Sequence, residues 1–503
     1  MERFYLYLLF AKPSEKLILS YSRNSSDGNS LRPSYCIATL CKLFPELEVQ
    51  TYETGKTAFT PKQGIEVLLK DLPGISKGQE VNPSIYNLIA WYERQENWKS
   101  FMDKMLKAVF YQKQEEKMSP ETAQLLYGKE LINSVSRLER FAGCAFAHFL
   151  TYGLQLKERD VFSFASADMG NLFHEALELF GKQMKEEGLT WQTIENDKRE
   201  QMVDEILEKC VATNGSMALG DTARSSYTLE RMKRILKRTT WALCEQLKRG
   251  TFYPASYEER FFQEYQLEAK RLLKLYGIID RIDISKDDGK VYVKIVDYKS
   301  GIKKFEITEF YHGLQMQLPM YLDVAMGKMK ERYPEEEIIP AGILYYHMDD
   351  PLIDTLSQAG EEIEAEILGK LRAEGLVNEE GDIIERLDQS GDAKSLVIPV
   401  GRKKDGSLTA ASSTANTEQF TMLCQYGEQK SEELASRILN GETEPEPYWL
   451  EGKTACDYCG YRGICGFDKR IDGYHYKKYQ KEKADDVWNK IKEATEKEGE
   501  HEQ

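Results

Sequence analysis

Two short apolar runs joined by a tight turn, each with a carboxylate near one end, constrain this chain more than any other feature. Gly277-Ile278-Ile279-Asp280-Arg281-Ile282-Asp283 leads through Asp287-Asp288-Gly289 into Val291-Tyr292-Val293-Lys294-Ile295-Val296-Asp297-Tyr298-Lys299-Ser300-Gly301. The β-branched content and the Asp-Gly turn predict an antiparallel hairpin, with strands over 276–284 and 291–297. Alternate side chains of a strand share a face, so Asp297 and Lys299 point the same way. Two hard carboxylates, Asp280 and Asp297, meeting at one place suit Mg²⁺ (or Mn²⁺), which takes oxygen ligands and keeps waters. The Tyr298 carbonyl is a candidate further ligand. A lysine two residues beyond the second acid can orient or deprotonate an attacking water and offset phosphate charge. The pattern points to metal-dependent phosphodiester hydrolysis. An Asp-x-Lys by itself is weak, since acids are common where strands meet loops.

The rest of the chain changes character in blocks. Its start reads as strand, turn, strand: Phe4–Phe10, a breaker at Pro13, then Leu17–Tyr21, followed by a polar loop over 24–30. Helical spacing runs through 83–126 and most of 136–250, including 176–185 and 198–209. Strand patterns occupy 257–346, the last at 341–346. A helix returns over 360–375, and 402–417 form a polar loop. Residues 231–249 hold seven Lys/Arg against a single acid, Glu245, which reads either as a solvated helix face or as a stripe meeting phosphates. The tail after Asp485 is charged and poor in apolar residues, so it is expected to fray. Gly55-Lys56-Thr57 and Gly452-Lys453-Thr454 look like phosphate-loop fragments. The required upstream glycine is Gln50 in one and Pro447 in the other, so no ATP site of that kind is read.

The joint pattern Gly-x-x-Asp-Arg-x-Asp, hairpin, Asp-Tyr-Lys-Ser-Gly resembles the RecB-like branch of the PD-(D/E)XK nuclease superfamily. That resemblance implies an α/β fold: a mixed sheet flanked by helices, here with long helical insertions. It also gives roles to two elements that mean little alone. Gly170-Asn171-Leu172-Phe173-His174-Glu175 matches the helix where the family places a metal-facing histidine, so His174 is expected to join Asp280 and Asp297 around the metal. Gln315-Met316-Gln317-Leu318-Pro319-Met320-Tyr321 matches the family's Gln-x-x-x-Tyr helix, in which Gln317 supports the catalytic lysine or a metal-bound group. Arg281 and Tyr321 are expected to contact DNA.

Nine cysteines in a chain without a signal-peptide layout argue for reduced thiols or bound metal rather than disulfides. Cys456, Cys459 and Cys465 form C-x₂-C-x₅-C, a soft-metal triad that needs a fourth ligand and suits zinc as well as iron–sulfur. Cys144 follows Ser136-Arg137-Leu138-Glu139-Arg140-Phe141, at the start of the same region. This arrangement resembles the iron–sulfur staple of AddB-type helicase–nuclease subunits and Cas4-like nucleases. The resemblance implies a [4Fe–4S] cluster on Cys144, Cys456, Cys459 and Cys465, clasping the two ends of the nuclease domain.

Residues 136–470 follow the nuclease end of the AddB-type component of ATP-dependent helicase/deoxyribonucleases almost element for element. Tyr7 to Leu17 resemble that family's last helicase motif, with Lys12 where an arginine usually reads the nucleotide and Ala11 in place of threonine. Family members are much longer than 503 residues. The expected layout is therefore a helicase-like remnant over 1–130, the nuclease domain over 131–470 and a charged tail over 471–503. The resemblance implies a cytoplasmic exonuclease on the 5′-terminated single strand, working with an A-type helicase–nuclease partner on DNA ends in break repair by recombination. The competing expectations are a non-catalytic DNA-end-binding subunit that docks a helicase partner, and a zinc-stapled architectural protein. A balance of 68 basic and 83 acidic residues, net −15, excludes a uniformly basic nucleic-acid coat but not a local basic groove. No apolar run reaches the ~20 residues of a membrane span.

Overall fold

The computed structural model describes residues 2–25, 29–50, 60–113, 117–157, 166–213, 223–268, 271–353 and 360–499. Gly55-Lys56-Thr57 and residues 26–28 of the first polar loop lie outside them. The chain divides into two compact units, Met1–Tyr111 and Gln112–Gln503.

Among the described residues the first unit contains five helices: α1 (Glu2–Ala11), α2 (Tyr35–Leu43), α3 (Pro61–Ser76), α4 (Ser84–Arg94) and α5 (Glu96–Val109). Thr60 caps α3 by accepting from the Gln63 N–H, and Pro61 fills the first turn, where a missing N–H costs nothing. Leu68 and Leu72 meet Ile85, Tyr92, Met102 and Met105 in a small core. The strand expected over Phe4–Phe10 is helix α1, and 17–21 carry no regular element. A short, continuous apolar run has no period of its own, so length and context decide between strand and helix.

The second unit is built on a seven-stranded sheet. Its strands are β1 (Glu130–Ser134), β2 (Tyr253–Leu267), β3 (Arg271–Asp287), β4 (Lys290–Lys299), β5 (Glu337–His347), β6 (Glu374–Asn378) and β7 (Thr414–Ala415). The order is β1-β3-β4-β5-β6-β7, with β2 paired to β3. The sheet is mixed: β4 runs parallel to β5, whereas β2–β3, β3–β4 and β5–β6 are antiparallel. The expected hairpin is β3–β4. Asp287 pairs with Lys290 across a two-residue turn in which Asp288 and Gly289 both have positive φ, +36° and +78°. Such a turn matches the right-handed twist of the strands.

Period-two alternation along β4 buries both faces of the sheet. Val291, Val293 and Ile295 enter one core, and Tyr292, Val296 and Tyr298 enter the other. The first core is covered by α7 (Val135–Gly143), α13 (Gln317–Arg332), α16 (Thr417–Leu439) and α18 (Ala484–Gly499), the second by α9 (Ser166–Glu186), α10 (Asn196–Thr213) and α11 (Ala223–Lys248). The remaining helices among the described residues are α6 (Pro120–Tyr127), α8 (Ala145–His148), α12 (Ile307–Tyr311), α14 (Gly360–Lys370), α15 (Ile383–Leu387) and α17 (Arg462–Cys465). A three-stranded sheet of β8 (Tyr448–Leu450), β9 (Lys453–Thr454) and β10 (Lys477–Tyr479) lies near the end. Gly452-Lys453-Thr454 belongs to its β8–β9 hairpin rather than to a strand-to-helix phosphate loop.

Two expected boundaries move. Residues 112–130 belong to the second unit, where the backbone around Met118 lies against Gly441. The tail does not fray through α18: Val487 and Ile491 are fully buried, with Trp488 and Ala494 packed beside them. Their spacing puts four apolar side chains on one helix face, and the high charge lies elsewhere on the helix.

Candidate active site

Asp280, midway along β3, and Asp297, near the end of β4, converge between α9 on one face of the sheet and the start of α13 on the other. The Tyr298 N–H donates to Asp280 Oδ2 at 2.7 Å, so it is the amide of Tyr298 that the structure places on this carboxylate. Asp297 is almost completely buried. Burial and the charge of Asp280 push its carboxyl up to about 7, while Lys299 pulls it back. As the alternation requires, Lys299 lies on the same face and pairs with Asp297. Gln317, the first residue of α13, holds both: its amide donates to Asp297 Oδ1 at 2.7 Å, and its carbonyl accepts from Lys299 Nζ at 3.2 Å. The Tyr321 hydroxyl, one turn on, is 3.4 Å from the same amide. Tyr321 is buried edge-on against Phe261, so its ring packs within the protein.

His174, on α9, reaches Asp280 Oδ2 at 3.3 Å through Nδ1. The same nitrogen is 3.7 Å from Glu258 Oε1. His174, Glu258 and Asp280 are the group among the described residues whose donor atoms lie close enough to hold one metal ion, all within 4.8 Å of one another. Glu258 was not anticipated. Tyr257 pairs with Arg281 and Glu259 with Ile279, a register that sets Glu258 across from Asp280. Its φ of +46° is in the left-handed region, unusual for a residue with a side chain and frequent where function imposes strain. In the sequence it is one acid in a Glu-Glu pair, and only strand pairing distinguishes it. Asp297 falls outside this close group, held instead by Lys299 and Gln317.

The donor set calls for a cation. Burial pushes the His174 imidazole down, but hydrogen bonds to Asp280 and Glu258 and their charges outweigh it and hold the ring up at about 10. Two carboxylates and one imidazole suit a hard divalent ion that also accepts nitrogen.

The expected DNA contact of Arg281 is corrected, and the two readings left open for the basic run over 231–249 are separated. The Arg281 side chain is only 2% exposed. It pairs with Asp283 through Nε at 2.8 Å and donates to the Tyr298 hydroxyl at 2.9 Å, so its buried guanidinium is engaged within the protein. The basic run over 231–249 is largely neutralised within the protein. Lys233 pairs with Glu208, Lys237 with Glu200 and Asp204, and Arg234 and Arg238 with Asp350. It is a helix face stitched to its neighbours, not a free cationic stripe.

Cys144, Cys456, Cys459 and Cys465 line one pocket, 312 residues apart in sequence at the first gap. The other lining residues include Phe146, Ala147, Leu150, Pro445, Pro447 and Phe467, and none is His, Asp or Glu. Burial and the proximity of the other three thiols push Cys456 up to about 11, while the charge of Arg462 pulls it back. Four sulfur donors in an apolar setting fit a thiolate-bound group. Cys144 ends α7 and starts α8, and Cys465 ends α17.

A sequence model of the PD-(D/E)XK nuclease superfamily matches residues 133–466. Curated relatives described as the B component of an ATP-dependent helicase/deoxyribonuclease cover nearly all of the chain. Those from Lachnoclostridium phytofermentans and Alkaliphilus metalliredigens are 39% and 33% identical over 99% of it. One from Clostridium acetobutylicum is 34% identical over 99%. The chain spans 43–44% of the length of these relatives.

Proposed function

Because the chain belongs to the PD-(D/E)XK nuclease superfamily, we propose that it is a metal-dependent deoxyribonuclease acting on single-stranded DNA ends. The observation that carries this is the juxtaposition of His174, Glu258 and Asp280 with the Asp297–Lys299–Gln317 triad. His174, Glu258 and Asp280 would hold the ion, with Asp297 alongside. A bound Mg²⁺ or Mn²⁺ supplies positive charge against the phosphodiester and makes water a stronger acid. Lys299 orients the attacking water and offsets the charge that develops on phosphate. Gln317 fixes Lys299 relative to Asp297, so that the ammonium enters the reaction already positioned.

The names of the relatives, the B component of an ATP-dependent helicase/deoxyribonuclease, support placing this chain in a helicase–nuclease complex. The family resemblance of the sequence adds an A-type helicase–nuclease component as partner and the 5′-terminated strand as substrate during recombinational repair. A cytoplasmic location suits that role. No helix among the described residues is long and apolar enough to cross a membrane. The four cysteines would hold a [4Fe–4S] cluster, clasping residues on both sides of the nuclease core.

Asp297→Ala and Lys299→Ala, purified from anaerobic expression and assayed on single-stranded oligonucleotides in Mg²⁺ and Mn²⁺, test the reading. Loss of cleavage with an unchanged fold supports it; cleavage persisting in both variants overturns it. DNA binding without cleavage by the unaltered chain would favour a non-catalytic end-binding role. Broad absorption near 400 nm, lost in Cys144→Ser, supports iron–sulfur. A colourless protein with stoichiometric zinc overturns it.

A further inference from the structure

Gln317 sits on a helix start that its own sequence leaves uncapped. The residue before α13, Met316, offers no side-chain acceptor, and the first N–H groups of a helix need partners. The partner comes from another helix. Glu139 Oε1 on α7 accepts from the Met316 N–H at 2.7 Å and from the Gln317 N–H at 3.1 Å. A carboxylate at a helix N-terminus is doubly favourable, as a hydrogen-bond acceptor and as a charge facing the positive end of the dipole. The residue it fixes is the one whose side chain spans Asp297 and Lys299. The helix that carries it ends at Cys144, five residues on.

We propose that Glu139 is a positioning residue: by capping α13 from α7 it sets the backbone of Gln317, and through Gln317 the place of Lys299. This rests on the nuclease reading above. Glu139 touches neither the acids nor the lysine through a hydrogen bond of its own; it governs a geometry that others use. It also ties the helix leading into the cysteine pocket to the helix that opens the active site, so that displacement of α7 reaches Lys299 in two hydrogen-bonded steps.

The test uses Glu139→Ala and Glu139→Gln in the full chain. In Glu139→Ala, kcat on a single-stranded oligonucleotide falls on the order of 10- to 100-fold with KM unchanged, the mark of a lost alignment rather than lost binding. Glu139→Gln keeps an acceptor oxygen and recovers most of the rate. Added to Gln317→Ala, which retains a measurable rate, Glu139→Ala costs nothing further, because its effect passes through that side chain. Amide exchange of the peptide spanning Met316 and Gln317 accelerates in Glu139→Ala, a readout independent of turnover. Wild-type kcat in Glu139→Ala, additive loss with Gln317→Ala, or unchanged exchange each overturn the proposal. A wild-type chain that cleaves nothing would instead fail the nuclease reading, and the exchange measurement distinguishes the two.

Discussion

Gln317 and Asp297 are joined by a 2.7 Å hydrogen bond in which the glutamine amide donates to a buried carboxylate. The same side chain accepts from Lys299, so one residue sets the spacing between the acid and the lysine. Gln317→Ala should lower the rate of single-strand cleavage on the order of 10- to 100-fold while leaving DNA affinity intact. Gln317→Glu should be worse than Gln317→Ala, since it sets a second carboxylate against Asp297. Initial rates and equilibrium binding of the two variants check the ordering.

Glu258 stands with His174 and Asp280, and its removal should show in metal binding before anything else. Glu258→Gln loses one of the two carboxylates in the group and should weaken Mn²⁺ binding on the order of 10-fold or more. Calorimetric titration with Mn²⁺ measures this directly. Unchanged affinity would remove Glu258 from the ligand set.

Asp283 lies fully buried between Arg281 and Lys294, at 2.8 Å from one and 3.0 Å from the other. One carboxylate thus serves two buried cations. Asp283→Asn leaves both without a counter-charge, and about 3–5 kcal/mol of stability should be lost. Denaturant unfolding detects this without any activity assay. Arg281→Met, which removes one cation and leaves the Lys294–Asp283 pair, should cost less.

Glu428 on α16 gives a pH dependence away from the active site. Burial, then the charge of Asp323, push its carboxyl up to about 7 from 4.5. The folded state therefore keeps a proton that the unfolded chain releases between those values. This contribution to stability is fully present below pH 4.5 and is lost as pH rises through 7. Glu428→Gln should flatten that part of the profile, seen as a smaller drop in urea midpoint between about pH 5 and about pH 8.

Much of the site was legible in advance, and the reason is locality. The β3–β4 hairpin, Asp280, Asp297 and Lys299 follow from an Asp-Gly turn and a period of two, both properties of neighbouring residues. Gln317 and His174 carry no such signal alone, and their places came through resemblance. The misreadings have separate causes. Phe4–Phe10, whose Phe4, Tyr5, Tyr7 and Leu9 are exposed, formed a helix because a short continuous apolar run carries no period of its own. Val487–Ala494 packed instead of fraying because it was judged by composition while its burial was decided by partners elsewhere. The same holds for Arg281, whose charge suggested DNA and whose strand face delivered it to Asp283.

By itself the sequence determined a hairpin bearing two acids and a lysine and, through resemblance, a mixed-sheet nuclease core and the thiol set of Cys144, Cys456, Cys459 and Cys465. Tertiary structure alone decided which charges meet. Glu258 reaches Asp280 through the β2–β3 register, Glu139 reaches Gln317 across 178 residues, and the cationic run of α11 is matched to Glu200, Asp204, Glu208 and Asp350. Hydrophobic periodicity sets which face of an element is buried, whereas electrostatic pairing depends on distances between elements that no local pattern encodes.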